Sequence, residues 1–294
     1  MLTERDKYKG THYILKKCNL ESSETAKTII CITGIGGFTK LFDSLSDVIV
    51  TNGYNVLLYD LIGRGYSDYP SNNIFNAESH IQQLRDLIIF LGINQDKYIL
   101  LGHSMGGCLA SFYANEYNEE IASLILLSPT GLLHNDMLQM IQSCPLWLQS
   151  IIKYPANYLQ ELSWRLCFEN STSDIAEETV KSLIVVNDKN PKMFDALWEC
   201  LLQFPLSNNE AQLKQLASKN IQTLLLWGEM DNVVTFEHLL LWKTILESDS
   251  LKTITYPDLG HNFFIEDPET VASDICEFLH HGWVILKKET NDTH

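Results

Sequence analysis

The stretch that most constrains this chain is Tyr98-Ile99-Leu100-Leu101-Gly102-His103-Ser104-Met105-Gly106-Gly107, running into Cys108 to Ala114. An apolar run of strand length ends at Gly102. A turn of small residues carries one serine, and a helical pattern follows at once. This is Gly-x-Ser-x-Gly in the strand–turn–helix setting that a nucleophile elbow requires. Such a turn strains the serine backbone and crowds the residues two before and two after it. Glycine at 102 and 106 removes the side chains that would collide. The Ser104 hydroxyl then stands clear of the sheet, facing the positive end of the following helix. A chance match in a glycine-containing loop is the alternative, and it weakens with each partner residue found elsewhere.

Strand-like and helix-like runs alternate around this element. Thr28–Ile32 is short, β-branched and apolar on consecutive residues, as a strand buried on both faces should be. Thr11–Cys18, Asn55–Tyr59, Tyr98–Leu101, Ser123–Leu127, Thr223–Trp227 and Lys252–Tyr256 read as further strands. Helical patterns cover Lys40–Val50, Ala77–Leu91, Ser104–Tyr117, Phe236–Leu246 and Pro268–His280. The alternation predicts an α/β fold, a mostly parallel sheet flanked by helices. The polar tail from Lys287 to His294 is expected to fray.

One segment breaks the rhythm. Residues 132–216 carry helical patterns and a single weak strand candidate, Leu183–Val186. The segment is rich in aromatic and aliphatic residues, among them Trp147, Trp164 and Trp198. We read it as a helical cap inserted into a core formed by 1–131 and 217–294. The alternative is a further set of core helices within one domain.

A serine at neutral pH needs a base. His261 lies in Asp258-Leu259-Gly260-His261-Asn262-Phe263, after the last strand and before the last helix, at the sheet edge that also carries Ser104. His103, beside the serine, supports the loop in this reading. His12, His134, His238, His280 and His281 read as surface or packing residues. The base needs a carboxylate to fix its tautomer. Asp231, in Trp227-Gly228-Glu229-Met230-Asp231, is the natural choice, with Glu229 as competitor. A tetrahedral oxyanion needs backbone donors, worth roughly 3–4 kcal/mol each. Met105 N–H should be one. The other should come from Thr33-Gly34-Ile35-Gly36-Gly37-Phe38, where Ile35 is our choice and Gly36 the next. The glycines there, Gly34 and Gly36 among them, let main chain approach a substrate closely.

The pieces Gly102-His103-Ser104-Met105-Gly106-Gly107, Asp60-Leu61-Ile62-Gly63-Arg64-Gly65-Tyr66-Ser67-Asp68, Trp227 to Asp231 and Gly260-His261 resemble a known family. The chain is similar to serine hydrolases of the α/β-hydrolase fold, in the capped group of esterases, monoacylglycerol lipases, lysophospholipases and carbon–carbon bond hydrolases. The resemblance spans about residues 28 to 280. It implies a Ser104–Asp231–His261 triad in the family's chain order, an acyl-enzyme and no cofactor or metal. It also implies that the Asp60 to Asp68 stretch shapes a turn below the site, with Arg64 outside the catalytic set. The family commonly starts its oxyanion loop with His-Gly, and here Thr33-Gly34 stands instead. Dehalogenases and many epoxide hydrolases of this fold carry aspartate at the elbow, so Ser104 argues against both.

The expected substrate is a small-molecule carboxylic ester with an apolar acyl group, such as a lipid ester. Trp147 and Trp164 are candidate wall residues. A diketone carbon–carbon hydrolase and a non-catalytic binding protein are the alternatives. A formal net charge of -16 argues against nucleic acid and anionic membranes as partners. No stretch approaches a transmembrane span. The first residues lack an apolar signal-like core. The seven scattered cysteines read as reduced thiols, giving an expectation of cytoplasmic location.

Overall fold

The computed structural model describes residues 2–18, 26–133, 136–145, 148–153 and 160–289. Eight strands form one sheet: β1 (Leu2–Tyr8), β2 (Thr11–Lys17), β3 (Thr28–Ile32), β4 (Asn55–Tyr59), β5 (Tyr98–His103), β6 (Ile121–Leu127), β7 (Thr223–Gly228) and β8 (Leu251–Tyr256). Their order across the sheet is β1-β2-β4-β3-β5-β6-β7-β8. The first two pairings, β1 with β2 and β2 with β4, are antiparallel, and all the others are parallel. The parallel strands therefore end together along one edge, where Ile32 pairs with Gly102 and His103 with Leu127.

Consecutive apolar residues in these strands serve opposite faces. Ile30, Ile32, Leu100, Leu126 and Trp227 enter one core cluster, while Ile29, Cys31, Leu101, Ile125 and Leu226 enter the other. Helices α1 (Asp43–Thr51), α2 (Ala77–Phe90) and α3 (Met105–Glu116) follow β3, β4 and β5. Leu84, Leu109 and Tyr113 of α2 and α3 fill the first cluster, and Leu45 and Ile49 of α1 fill the second.

Between β6 and β7 the described chain forms α4 (Asp136–Ser143), α5 (Gln160–Arg165), α6 (Asp174–Lys189), α7 (Met193–Gln203) and α8 (Glu210–Ala217). Trp164, Val180, Leu183, Val186 and Met193 form a small cluster of their own with Phe38. Ala196, Cys200, Phe204, Leu213 and Leu216 join the main core instead. After β7 come α9 (Glu237–Ile245), α10 (Phe263–Glu266) and α11 (Pro268–Glu289), the last packed on α1.

Two expectations from sequence are corrected, and one strand is added. Leu183–Val186 is helix, not strand. Its β-branched run lies in α6, where Ala176, Val180, Leu183 and Val186 are buried at helical spacing and the Ser173 hydroxyl caps the start by accepting from Ala176 N–H at 3.2 Å. The strand β1 had no expectation. It is an exposed, charged edge paired only to β2, so it lacks an apolar signature. The last helix runs past His280 to Glu289, so Lys287 lies within it, and residues 290–294 fall outside the described chain. No helix among the described residues is long and apolar enough to cross a membrane.

His80 of α2 is fully buried, its Nδ1–H donating to Asn76 O at 2.8 Å. Burial, helped by the nearby Arg64 charge, lowers its pKa to about 3. The unfolded chain takes up a proton below about pH 6.5, while the folded chain does not. Stability is therefore lost as pH falls, by up to ~1.4 kcal/mol per pH unit for this group. Urea unfolding between about pH 7 and 5 should show a shallower acid slope for His80→Asn than for the wild type.

Candidate active site

Ser104 sits between the end of β5 and the start of α3 with φ 56° and ψ −121°. This is strained backbone for a residue with a side chain. The strain is held from several sides. Ser104 N–H donates to Leu127 O at 2.9 Å, and Ser104 O accepts from Gly107 and Thr130 N–H at 3.0 Å each. The two flanking glycines are sterically required. A Cβ on Gly102 would stand 2.3 Å from Gly106 O, and one on Gly106 would stand 2.2 Å from Ile32 O. The first helical N–H, that of Met105, has no intrahelical acceptor.

The turn after β7 places Asp231. Its Oδ1 accepts from Val233 and Val234 N–H at 2.8 Å each, and its Oδ2 accepts from His261 Nδ1–H at 2.6 Å. Both side chains are nearly sealed from water. Three N–H donors hold this carboxylate in one orientation, and the imidazole in turn carries its proton on Nδ1. Nε2 is left as the lone-pair atom, buried and without a hydrogen-bond partner among the described residues. Ser104 and His261 line the same cavity, but the bond from Ser104 Oγ to Nε2 is not formed. Ligand-free sites often close that contact only around substrate. Glu229, the competitor, accepts from Thr255 Oγ1 at 2.7 Å instead.

The loop carrying His261 is clamped. His103 Nε2–H donates to His261 O at 3.1 Å, and the two rings lie 4.5 Å apart. Burial, with His261 beside it, holds His103 well below the usual histidine range, so it stays neutral. Glu266 accepts from Gly260 N–H at 2.8 Å and from Glu169 N–H at 3.0 Å. Burial, chiefly, raises its pKa. Asn262 N–H donates to Cys167 O at 2.8 Å. Sequence reasoning gave His103 a supporting role but missed Glu266. A glutamate five residues after a histidine carries no signal of its own, because its partners are backbone groups.

The glycine turn closes with Gly37 N–H donating to Gly34 O at 3.1 Å. Gly34 lies against the serine, since a Cβ there would stand 3.2 Å from Ser104 Cβ. Gly34, Ile35, Gly36, Ser104 and His261 share a cavity of about 360 Å³ with Leu41, Trp164, Leu166, Leu183, Leu197 and Val233. Its walls are mainly apolar. Trp164 is buried at 8% exposure against Gly36. Trp147 lies outside the described residues. A larger groove of about 650 Å³ beside α2 and α3 shares no lining residue with the Ser104 cavity and has no histidine in its lining. The seven cysteines are all unpaired, and Cys167 lies on the cavity wall as a thiol whose pKa burial raises to about 12.

Comparison with known proteins identifies the family and the fold. Residues 27–268 match the family described as alpha/beta hydrolase fold. The chain is 26% identical over 254 residues to Lipase 3 of Moraxella sp. (strain TA144), covering 86% of this chain and 78% of that one. It is 26% identical over 252 residues to the 2-hydroxy-6-oxononadienedioate/2-hydroxy-6-oxononatrienedioate hydrolase of Comamonas testosteroni, covering 85% of each. A solved thermophilic esterase from Thermogutta terrifontis superposes with a TM-score of 0.76 at 17% identity, covering 96% of this chain and 99% of that one, a likeness of fold. With an eight-stranded sheet of this order and a family match across most of its length, the chain belongs to the alpha/beta hydrolase fold family.

Proposed function

We propose that this protein is a serine hydrolase that cleaves carboxylic esters with an apolar acyl group, using Ser104, His261 and Asp231. The observation that carries this reading is the sealed 2.6 Å Asp231–His261 pair, opening onto the cavity that holds the strained Ser104. In the first step His261 Nε2 takes the Ser104 proton as Oγ attacks the ester carbonyl. The tetrahedral oxyanion is received by the N–H groups of Met105 and Ile35, and the alcohol leaves with the proton from Nε2. Water then gives a proton to His261, attacks the acyl-enzyme and releases the acid. Asp231 stabilises the imidazolium in both steps.

The segment 132–216 serves in this reading as a cap. Its residues Trp164, Leu166, Leu183 and Leu197 supply apolar wall opposite the serine, which suits an acyl chain. The likeness to the Comamonas hydrolase supports a second reading, hydrolysis of a carbon–carbon bond in a diketone-type substrate by the same residues.

A fluorophosphonate probe should label the wild type, and Ser104→Ala should abolish labelling. Equal labelling of both would remove Ser104 from the mechanism. Asp231→Asn should leave the fold intact and lower kcat by roughly 10⁴-fold, because the imidazole loses its fixed tautomer. A kcat within about tenfold of wild type would show that the pair is structural only. A panel of p-nitrophenyl esters should give rising kcat/KM with acyl length until the cavity fills. Failure on every ester, with turnover of a diketone, selects the second reading.

A further inference from the structure

Arg64 is a charged residue whose burial the mechanism above leaves unexplained. It is 0% exposed. Its Nε–H donates to Ile35 O at 3.0 Å and its Nη1–H to Ile62 O at 2.8 Å. Its Nη2 has no partner in hydrogen-bond geometry among the described residues, the Cys200 thiol lies within interaction range of the guanidinium, and the guanidinium carbon lies 5.7 Å from the centre of the Phe75 ring. Among the described residues no carboxylate pairs with it. Asp60, four residues earlier, spends its oxygens on the N–H groups of Thr39 and Tyr66 and on the His12 ring. His80, also near, is neutral.

A guanidinium sealed from water without a counter-ion is costly unless some negative charge makes use of it. Two carbonyls alone do not need it, since a neutral amide could donate to one and leave less charge to bury. The place of the bond to Ile35 is informative. That carbonyl belongs to the peptide whose N–H is that of Gly36, and the preceding carbonyl, Gly34 O, is tied to Gly37 N–H. In a trans peptide the N–H points opposite to the C=O. With both carbonyls fixed, the N–H groups of Ile35 and Gly36 are fixed as well, on a turn that lines the cavity with Ser104.

We propose that Arg64 is a positioning residue for the oxyanion: its guanidinium locks the 34–37 turn through Ile35 O and places an uncancelled positive charge behind that turn. The counter-ion it lacks at rest is the tetrahedral oxyanion, present only during reaction. This extends the serine-hydrolase reading and rests on it. It also revises the part that sequence gives the Asp60 to Asp68 stretch, because the turn below the site reaches the oxyanion loop directly.

The test compares wild type, Arg64→Met, Arg64→Gln and Arg64→Lys in the full chain. Phosphonylation of Ser104 by a fluorophosphonate puts negative charge on the phosphoryl oxygen, where ester attack puts it on the carbonyl oxygen. Its second-order rate constant per titratable site therefore reads the same loop, whatever the natural ester is. Arg64→Met and Arg64→Gln should lower that rate constant, and kcat on a p-nitrophenyl ester, by about 10- to 100-fold while KM stays within about twofold. Binding of a trifluoromethyl ketone, which forms a tetrahedral adduct, should weaken by the same factor, and Arg64→Lys should recover part of each loss. A wild-type rate per site overturns the proposal, as does a loss confined to the number of titratable sites or to KM. If neither uncharged variant folds, Arg64→Lys decides: a loss of about threefold or more in rate per site supports the proposal, and none overturns it. A wild type that reacts with the probe but hydrolyses no ester would end the ester reading and leave the Arg64 measurement standing. A wild type inert to the probe would overturn both.

Discussion

The site depends on one close approach, between the elbow and the end of β3. Gly106 lies against the carbonyls of Ile32 and Thr33 with no room for a Cβ, and Gly102 lies against Gly106 itself. The parallel pairing of Ile32 with Gly102 sets this contact. Were the two strands shifted by a residue, every side chain would change face and the elbow would have nothing to press against. The same approach brings the 34–37 turn onto Ser104, so strained serine and glycine turn are two results of one register.

What was legible in the sequence follows from this. Strands buried on both faces show continuous apolar runs, and β3 to β7 were readable for that reason. The elbow was readable because its glycines are sterically obligatory. Asp231 and His261 were readable because both follow strands that end at the same edge, and the structure brings them to 2.6 Å. The edge strand β1 was not legible, since it buries nothing and its residues are charged. Leu183–Val186 misled because four β-branched or apolar residues in a row look the same in a buried strand and in one turn of an amphipathic helix.

The residues that sequence left in the background are those that act through the backbone. His103 donates to a carbonyl, Glu266 accepts from two N–H groups, and Arg64 donates to two carbonyls. Such bonds have no partner side chain, so no pattern of residue types betrays them. They become visible only when the loops that supply the backbone groups are folded together.

Glu266 shows what that arrangement entails. One carboxylate joins two distant pieces of chain, the N–H of Glu169 next to the cavity wall and that of Gly260 in the histidine loop. A shift of the Gly260 end would strand a buried N–H, at a cost on the order of 1–3 kcal/mol, whereas the Glu169 end lies at the exposed surface. Displacement of the chain at Glu169 is therefore passed through the Glu266 carboxylate to the loop that carries His261.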